Sequence, residues 1–261
     1  MGSNESASPV LADQVEGILS IRLNRPEKKN ALNLAMYAAL TNALERADQD
    51  DAIRVILLTG SDSCFTSGND LADFLALPAT GEESPAIRFL RAISSARKPV
   101  VAAVSGLAVG IGVTMLLHCD LVLAAEDARF QMPFVNLALC PEAGSSLLLP
   151  RVMGHQRAAE LLLLGEPFGA AVAREVGIVN RVCPDGDLQA TARSLAKQLA
   201  AQPAAAVRLA KFLLKRDLAA PVQETIGVEL GYFMERLKTP EAAEALQAFM
   251  ERRQPDFSRF P

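Results

Sequence analysis

The sequence predicts an α/β protein in which mostly parallel strands alternate with helices, followed by a purely helical region. Short β-branched runs at residues 53–59 (IRVILLT) and Val100–Val104 have the composition of strands buried on both faces. Segments with apolar residues at helical spacing lie between such runs, as in strand–helix units. Beyond residue 187 only helical periodicity remains. These patterns predict a core over residues 10–186 and a helical region over residues 187–261.

Composition indicates a globular protein and gives no sign of a nucleic-acid partner. Of 261 residues, 50% are hydrophobic and 21% are charged, and the net charge of -4 leaves no basic footprint for nucleic acid. The four cysteines are far apart and form no CxxC, so we expect reduced thiols in a cytoplasmic protein. The two histidines lack ligand spacing, so we expect no metal site. The polar N-terminus is unlike a secretory signal, and we expect no membrane span.

The first half of the chain is predicted from turn residues and periodicity. Residues 1–9 form a flexible lead, and Gly17 turns a hairpin within residues 15–23. Asn33 caps a helix that ends near Gln49. The later predictions are a buried strand at 53–59, a polar loop at 60–70, a helix start at 71–77, a mobile segment at 78–85 and an amphipathic helix at 86–96.

The second half begins with strand Val100–Val104, and Gly106 and Gly110 are expected to bracket a tight turn. The next predictions are a helix at 111–118, a strand at 121–124, a helix from Ser145 or Ser146, helices at 156–164 and 169–176, and a strand at 179–182. Four helices should complete the chain, at 187–201, 203–216, 220–237 and 240–252. Their prolines, at 203, 221 and 240, fall near the starts, where proline is tolerated.

Two loops that follow predicted strands are candidate binding sites, at residues 67–70 and 106–112. Both place small residues before a helix, where backbone N–H groups are unpaired and the helix dipole favours negative charge. One N–H group from each loop could hold a developing oxyanion. The alternative is that these glycines only form turns before the helices and have no role in binding.

The same segments resemble the enoyl-CoA hydratase/isomerase (crotonase) superfamily. The resemblance spans roughly residues 12–255 and rests on NRP at 24–26, NAL at 30–32, FTSGNDL at 65–71, AVSGLAVGIG at 103–112, CD at 119–120, QMP at 131–133 and GIV at 177–179. It implies a core of β-β-α turns wound into a spiral, with C-terminal helices that assemble a homotrimer or a dimer of trimers. It also implies an acyl-CoA thioester as substrate, with no separate cofactor because coenzyme A is part of the substrate.

By this resemblance, the N–H groups of Asn69 and Ile111 form an oxyanion hole for the thioester carbonyl. Ile111 stands where the family often has glycine, so its side chain should narrow the acyl pocket. The substrate is expected to contact residues on both loops and beyond them: Ser67, Gly68, Asn69, Gly110, Phe134 and Leu139.

Acid–base residues decide which reaction the resemblance implies. The two glutamates of hydratases fall on Thr114 and Phe134 here, so neither is present. Glu142 matches the single catalytic glutamate of peroxisomal-type Δ3,Δ2-enoyl-CoA isomerases, which moves a proton from C2 to C4. Apolar Phe134, Leu137 and Leu139 should exclude water and raise the pKa of Glu142. The alternative is that Glu142 only caps the next helix.

Other polar residues receive structural or substrate-binding predictions. Asp70 and Asp120 are expected to hold loops, and His118 is expected to be a core or surface histidine. The phosphates of coenzyme A require cations, for which Lys28, Lys29, Lys211 and Lys215 are the candidates, with a solvated face as the alternative for each.

The predicted function is thus an isomerase that shifts a 3-enoyl-CoA double bond to the trans-2 position, in fatty-acid metabolism or in the degradation of other carboxylates. The competing hypotheses are another crotonase-type reaction, either hydration at an unusual water site or hydrolysis, and a non-catalytic CoA-ester-binding trimer.

Overall fold

The computed structural model describes residues 8–61, 63–70, 84–184 and 186–260. Its larger sheet has six strands in the spatial order β1 (Val10–Val15), β2 (Ile18–Leu23), β3 (Val55–Thr59), β5 (Val100–Val104), β7 (Leu121–Ala125) and β10 (Arg181–Cys183). Its smaller sheet has four, in the order β4 (Cys64–Thr66), β6 (Leu107–Val109), β8 (Arg129–Gln131) and β9 (Phe168–Gly169).

The chain winds as a spiral because consecutive strands enter the two sheets alternately. β3 is followed by β4, β5 by β6 and β7 by β8, so each turn adds one strand to each sheet. Pairing is parallel from β2 through β10 in the larger sheet and from β4 through β8 in the smaller one. The β1–β2 hairpin is antiparallel and turns at Gly17, as predicted. This architecture confirms the predicted fold class.

Helices surround the sheets and dominate the C-terminal part. They are α1 (Leu34–Gln49), α2 (Pro85–Ser95), α3 (Ile111–Thr114), α4 (Ser145–Met153), α5 (His155–Ala159), α6 (Ala170–Glu175), α7 (Leu188–Ala201), α8 (Ala204–Arg236) and α9 (Pro240–Glu251). Single 3₁₀ turns cover Pro26–Lys28, Met115–His118, Val135–Leu137 and Phe257–Arg259, and a π-helical turn covers Glu160–Leu164. Asn33 caps α1 as predicted, because its side chain accepts a hydrogen bond from the Met36 N–H group.

The larger sheet is buried on both faces, which explains the continuous apolar runs of its strands. In β3, Ile56 and Leu58 face the main core with α1 and α2, whereas Val55 and Leu57 face α7. On a strand, successive side chains point to opposite faces, so both faces must be apolar when helices cover both.

Three predictions about elements were wrong. The polar loop predicted at 60–70 contains the buried strand β4, and the turn predicted between Gly106 and Gly110 contains β6. Strands of three residues are too short to show a period. The helices predicted at 203–216 and 220–237 form one 33-residue helix, α8, with Pro221 inside it. Proline removes one backbone hydrogen bond, and the apolar residues that follow it, Val222 and Ile226, pack on the main core.

Several other predictions lie wholly or largely outside the described residues. They are residues 1–7 of the N-terminal lead, the helix start at 71–77 and all but the end of the segment at 78–85.

Candidate active site

The two glycine-containing loops lie side by side because the strands that precede them pair. Thr66 of β4 stands opposite Ala108 of β6. A Cβ atom on Gly68, which has a φ of +93°, would be 2.9 Å from the Val109 carbonyl oxygen, and one on Gly112 would be 2.6 Å from Thr66 Cγ2. Neither position has room for a side chain, so the glycines bring the loops into direct contact.

The first loop leaves the Asn69 N–H group available. Leu32 forms a parallel bridge with Asn69: its N–H group donates to the Gly68 carbonyl at 2.8 Å, and its own carbonyl accepts from the Asp70 N–H group at 2.9 Å. These bonds flank Asn69, so its own N–H group points away from Leu32. No acceptor binds that N–H group within the described residues. Asp70 pairs with Arg25 at 2.5 Å, which gives it the predicted structural role.

The second loop leaves the Ile111 N–H group available for a similar reason. Gly110, with φ 55° and ψ −117°, donates its N–H group to the Gln131 carbonyl at 2.9 Å. Its own carbonyl accepts from the N–H groups of Val113 and Thr114. Ile111 is the first residue of α3, so its N–H group has no acceptor within the helix. The two predicted oxyanion donors, Asn69 and Ile111, therefore line the same cavity.

Glu142 enters this cavity from a turn that is held by distant side chains. The next two residues, Ala143 and Gly144, both have left-handed backbone, with φ of 61° and 72°. The Ala143 carbonyl can only accept, so His118 donates to it from Nε2 at 2.7 Å. The Gly144 N–H group donates to the carboxylate of Glu229, on α8, at 2.6 Å. His118 is a buried core residue whose pKa burial lowers to about 4, so it is neutral at pH 7.

The Glu142 carboxyl group is suited to proton transfer near neutral pH. Burial raises its pKa to about 8, the Thr114 hydroxyl lowers it by donating a hydrogen bond at 2.5 Å, and the charge of Glu229 raises it. At pH 7 roughly a tenth of the carboxyl groups are ionised. A pKa near the working pH allows one group to act as both base and acid.

Glu142 does not act as the cap of α4. Its side chain bonds to Thr114, and only its backbone carbonyl meets the helix, where it accepts from the Ser145 N–H group at 3.1 Å. The capping carboxylate belongs to Glu229, which accepts from the N–H groups of Gly144 and Ser146. The structural alternative considered for Glu142 is therefore wrong.

The rest of the cavity is mainly apolar and comes largely from α2 and α8. Its volume is about 70 Å³, and the described residues that line it are Tyr37, Asn69, Ser84, Ala86, Ile87, Leu90, Ile111, Glu142, Ala143, Ile226, Leu230, Phe233 and Met234. Most of these were not predicted from the sequence. The apolar spacing of Ile226, Leu230 and Phe233 indicates one helix face, but not the cavity that this face covers.

Phe134 and Leu139 are not among the described residues that line the cavity, and their predicted contact with substrate stays a prediction. Both are buried in the main core. The 3₁₀ turn Val135–Leu137 and the left-handed residue Ala138, with φ 56°, fold the segment back on itself. The Leu139 N–H group then donates to the Phe134 carbonyl at 2.8 Å.

Lys211 and Lys215 differ from their predicted role in phosphate binding. Buried Lys211 donates to Asp120 and to the Lys98 carbonyl, each at 2.7 Å. Lys215 donates to the His118 carbonyl at 3.1 Å, and burial lowers its pKa. Asp120 also accepts from the Val100 N–H group, in the structural role predicted for it. The ammonium groups of Lys211 and Lys215 therefore attach α8 to the core.

Lys28 and Lys29 are exposed and lie beside the first loop. The Lys29 carbonyl accepts from the Ser67 N–H group at 3.0 Å, so the turn and the loop are joined by backbone. This placement is compatible with the predicted contact to coenzyme A phosphates, which stays a prediction. In the described parts of the chain, no three His, Cys, Asp or Glu side chains cluster as metal ligands would. No described helix is both long and apolar enough to cross a membrane.

Comparison with known proteins identifies the family. The sequence profile described as Enoyl-CoA hydratase/isomerase matches residues 13–259. The chain belongs to this family. The 1,2-epoxyphenylacetyl-CoA isomerase of Escherichia coli (strain K12) is 35% identical to this family member over 256 residues, which cover 95% of this chain and 98% of that protein. Enoyl-CoA delta isomerase 2 of Homo sapiens is 34% identical over 245 residues, which cover 91% of this chain and 62% of that protein.

Solved structures of the enoyl-CoA hydratase/isomerase family agree with the fold. The enoyl-CoA hydratase/isomerase from Pseudoalteromonas atlantica T6c has a TM-score of 0.91 and 42% identity, with 95% of this chain and 99% of that chain covered. Membership makes the protein an enzyme of crotonase type that acts on CoA thioesters. Similar proteins include ones named hydratases as well as isomerases, so the family does not specify the reaction.

Proposed function

We propose that this enzyme converts a 3-enoyl-CoA thioester into the trans-2-enoyl-CoA, with Glu142 as its single acid–base residue. The observation that carries the proposal is the pair formed by Thr114 and Glu142. Among the described residues that line the cavity, Glu142 is the one carboxylate. The position that carries the first glutamate in hydratases holds Thr114, whose hydroxyl donates to Glu142.

One carboxylate is sufficient for this reaction. Ionised Glu142 removes a proton from C2, which the thioester acidifies, and the electron pair of that C–H bond enters a dienolate. The negative charge develops on the thioester oxygen, where the N–H groups of Asn69 and Ile111 stabilise it. Protonated Glu142 then returns the proton to C4, so the double bond moves from C3–C4 to C2–C3 without gain or loss of atoms.

The apolar cavity supports isomerisation over hydration. Adding water requires groups that hold and deprotonate a water molecule while the α-carbon is protonated, a task that hydratases divide between two carboxylates. Here the neighbours of Glu142 in the cavity include Ile226, Leu230 and Phe233, which offer water no hydrogen bond. The same residues would shield a dienolate from protonation by solvent.

The replacement Glu142→Gln tests the proposal. We expect isomerisation of 3-hexenoyl-CoA to fall by roughly 10²- to 10⁴-fold in kcat, while the CoA ester still binds. Glu126→Gln is the matched control, since Glu126 is exposed in the turn between β7 and β8. Normal turnover by Glu142→Gln would contradict the assignment, as would wild-type hydration of crotonyl-CoA that outpaces isomerisation. Binding without turnover of any CoA ester would favour the non-catalytic alternative.

We also infer a homotrimer or a dimer of trimers, a cytoplasmic location and a role in fatty-acid metabolism. The first half of α8 supports assembly, because it exposes large apolar side chains, among them Phe212 and Leu214, which are 61% and 84% accessible. Light scattering of the purified protein would give the mass of the assembly, and a monomer would contradict the inference.

A further inference from the structure

We propose that Glu229 is a positioning residue, which aims the Glu142 carboxyl group at the substrate by holding the turn that follows Glu142. This inference rests on the proposed role of Glu142 as the acid–base residue. It assigns to the enzyme a second buried carboxylate, on α8, that does not itself reach the reacting atoms.

The contacts of Glu229 lie on the residues immediately after Glu142. Its Oε2 accepts from the Gly144 N–H group at 2.6 Å, and its Oε1 accepts from the N–H and hydroxyl groups of Ser146 at 2.9 and 2.6 Å. Both oxygens are therefore used, and the side chain is 6% exposed. Because Glu229 lies more than 80 residues further along the chain, on α8, these bonds tie the turn to a separate element.

The turn needs such a tie because its backbone is not one that an L-residue adopts readily. Ala143 and Gly144 are both left-handed, and Ala143 carries a Cβ atom that disfavours this conformation. His118 holds the turn from one side at the Ala143 carbonyl, and Glu229 holds it from the other at the Gly144 N–H group. Without the Glu229 carboxylate, Gly144 and Ser146 would lose their hydrogen bonds to α8, and the turn would be free to relax to an ordinary backbone.

Glu229 also acts on Glu142 through its charge. Burial raises the pKa of Glu229, but three donated hydrogen bonds and the N-terminus of α4 favour its ionised form. The negative charge opposes ionisation of Glu142. Among the described residues, the other titratable or charged groups near the turn include neutral His118, Tyr37 of α1, Cys140 before the turn, and two cations of α8. These are Arg236, which donates to the Ala138 carbonyl, and Lys215, which donates to the His118 carbonyl.

The test compares Glu229→Gln with the wild type in two measurements. Glutamine keeps the shape and one acceptor oxygen, but it removes the charge and turns an NH₂ group toward one of the donors. We expect kcat for 3-hexenoyl-CoA to fall about tenfold with KM nearly unchanged, and the rising limb of the pH–rate profile to move to lower pH. A residue with a structural role alone would lower the melting temperature and leave the limb in place.

The second measurement does not depend on turnover. ¹³C NMR of labelled glutamate carboxyl groups, with Glu142→Gln to assign the signal, gives the titration of Glu142 directly. In Glu229→Gln we expect this titration at lower pH than in the wild type. An unchanged titration together with unchanged kcat would overturn the proposal, whereas an inactive wild type with a shifted titration would refute only the isomerase assignment.

Ser146→Ala provides a milder variant in case Glu229→Gln does not fold. It removes the hydroxyl that donates to Glu229 and leaves both N–H donors in place. We expect a fall in kcat of about threefold and an unchanged KM. A Ser146→Ala enzyme with wild-type kcat and a wild-type Glu142 titration would count against the proposal.

Discussion

The two walls of the cavity are built in different ways. The wall that supplies the N–H groups of Asn69 and Ile111 is shaped by backbone: strand pairing, a parallel bridge and two glycines without room for a side chain. The wall that supplies Glu142 is shaped by side chains from three elements, namely Thr114, His118 and Glu229. Backbone contacts tolerate many side-chain changes, so the donor wall can persist while a few substitutions change the acid–base chemistry.

The donor wall, which supplies the N–H groups of Asn69 and Ile111, should lose its function when one added methyl group separates the two loops. In Gly112→Ala, the new Cβ atom would approach Thr66, whose hydroxyl is already bonded to the Asn30 carbonyl and the Gly68 N–H group. Thr66 cannot turn aside without losing these bonds, so we expect the loops to separate and kcat to fall roughly 10²- to 10³-fold. Steady-state kinetics with 3-hexenoyl-CoA measures the change.

Gly231→Ala is the control for this substitution, since a Cβ atom there would meet no atom within 4 Å. It should retain wild-type kcat. A Gly112→Ala enzyme with wild-type turnover would mean that contact between the two loops does not matter for catalysis.

The acid–base wall should respond to loss of the Thr114 hydroxyl. In the wild type, the hydrogen bond donated by the Thr114 hydroxyl lowers the pKa of Glu142. Thr114→Val keeps the shape of the side chain but removes this hydrogen bond. We therefore expect the pKa of Glu142 to rise above about 8 and kcat at pH 7 to fall about tenfold. The pH–rate profile is the measurement, and Thr114→Ser, which keeps the hydroxyl, should restore most of the activity. If the rising limb of the pH–rate profile did not move in Thr114→Val, Thr114 would have no part in setting the pKa of Glu142.

A smaller effect is expected where the two walls meet. The Tyr37 hydroxyl donates to the Asn69 side chain and lines the cavity with Glu142. Tyr37→Phe keeps the ring packed on Phe89 and removes this bond. Because the catalytic group of Asn69 is its backbone N–H, we expect kcat/KM to fall only about threefold. A loss as large as that predicted for Gly112→Ala would show that the Asn69 side chain orders the donor wall.

The last prediction concerns stability, where the acid–base wall should be a weak point. The pKa of Glu142 is raised in the folded protein, so folding favours its protonated form. Its contribution to stability is full below about pH 4.5 and is lost as pH rises through about 8. Between pH 6.5 and 9, wild-type Tm should fall by about 4–8 °C relative to Glu142→Gln, in which the contribution of His118 is the same. If Tm changed with pH by the same amount in the wild type and in Glu142→Gln, the prediction would be contradicted.

The fold class and the two glycine-containing loops were predictable because both depend on patterns between neighbours in sequence, whereas the spiral and the oxyanion donors were implied by the family resemblance. Buried strands show as β-branched runs, and the glycines that precede α3 mark close backbone approach. Glu142 was identifiable because a carboxylate stood alone in an apolar stretch, and the resemblance gave it a role. The strands β4 and β6 were not predictable, because strands of three residues are too short to show a period.

The sequence by itself thus determined the fold class, the two loops and the carboxylate, since local spacing encodes each of them. Only the tertiary structure decided the partners of buried polar groups. It turned Lys211 from a predicted phosphate ligand into the partner of Asp120, and it placed Phe134 in the main core. It also brought Glu229 to the turn of Glu142. Periodicity shows which face of a helix is buried, but only packing determines what that face meets.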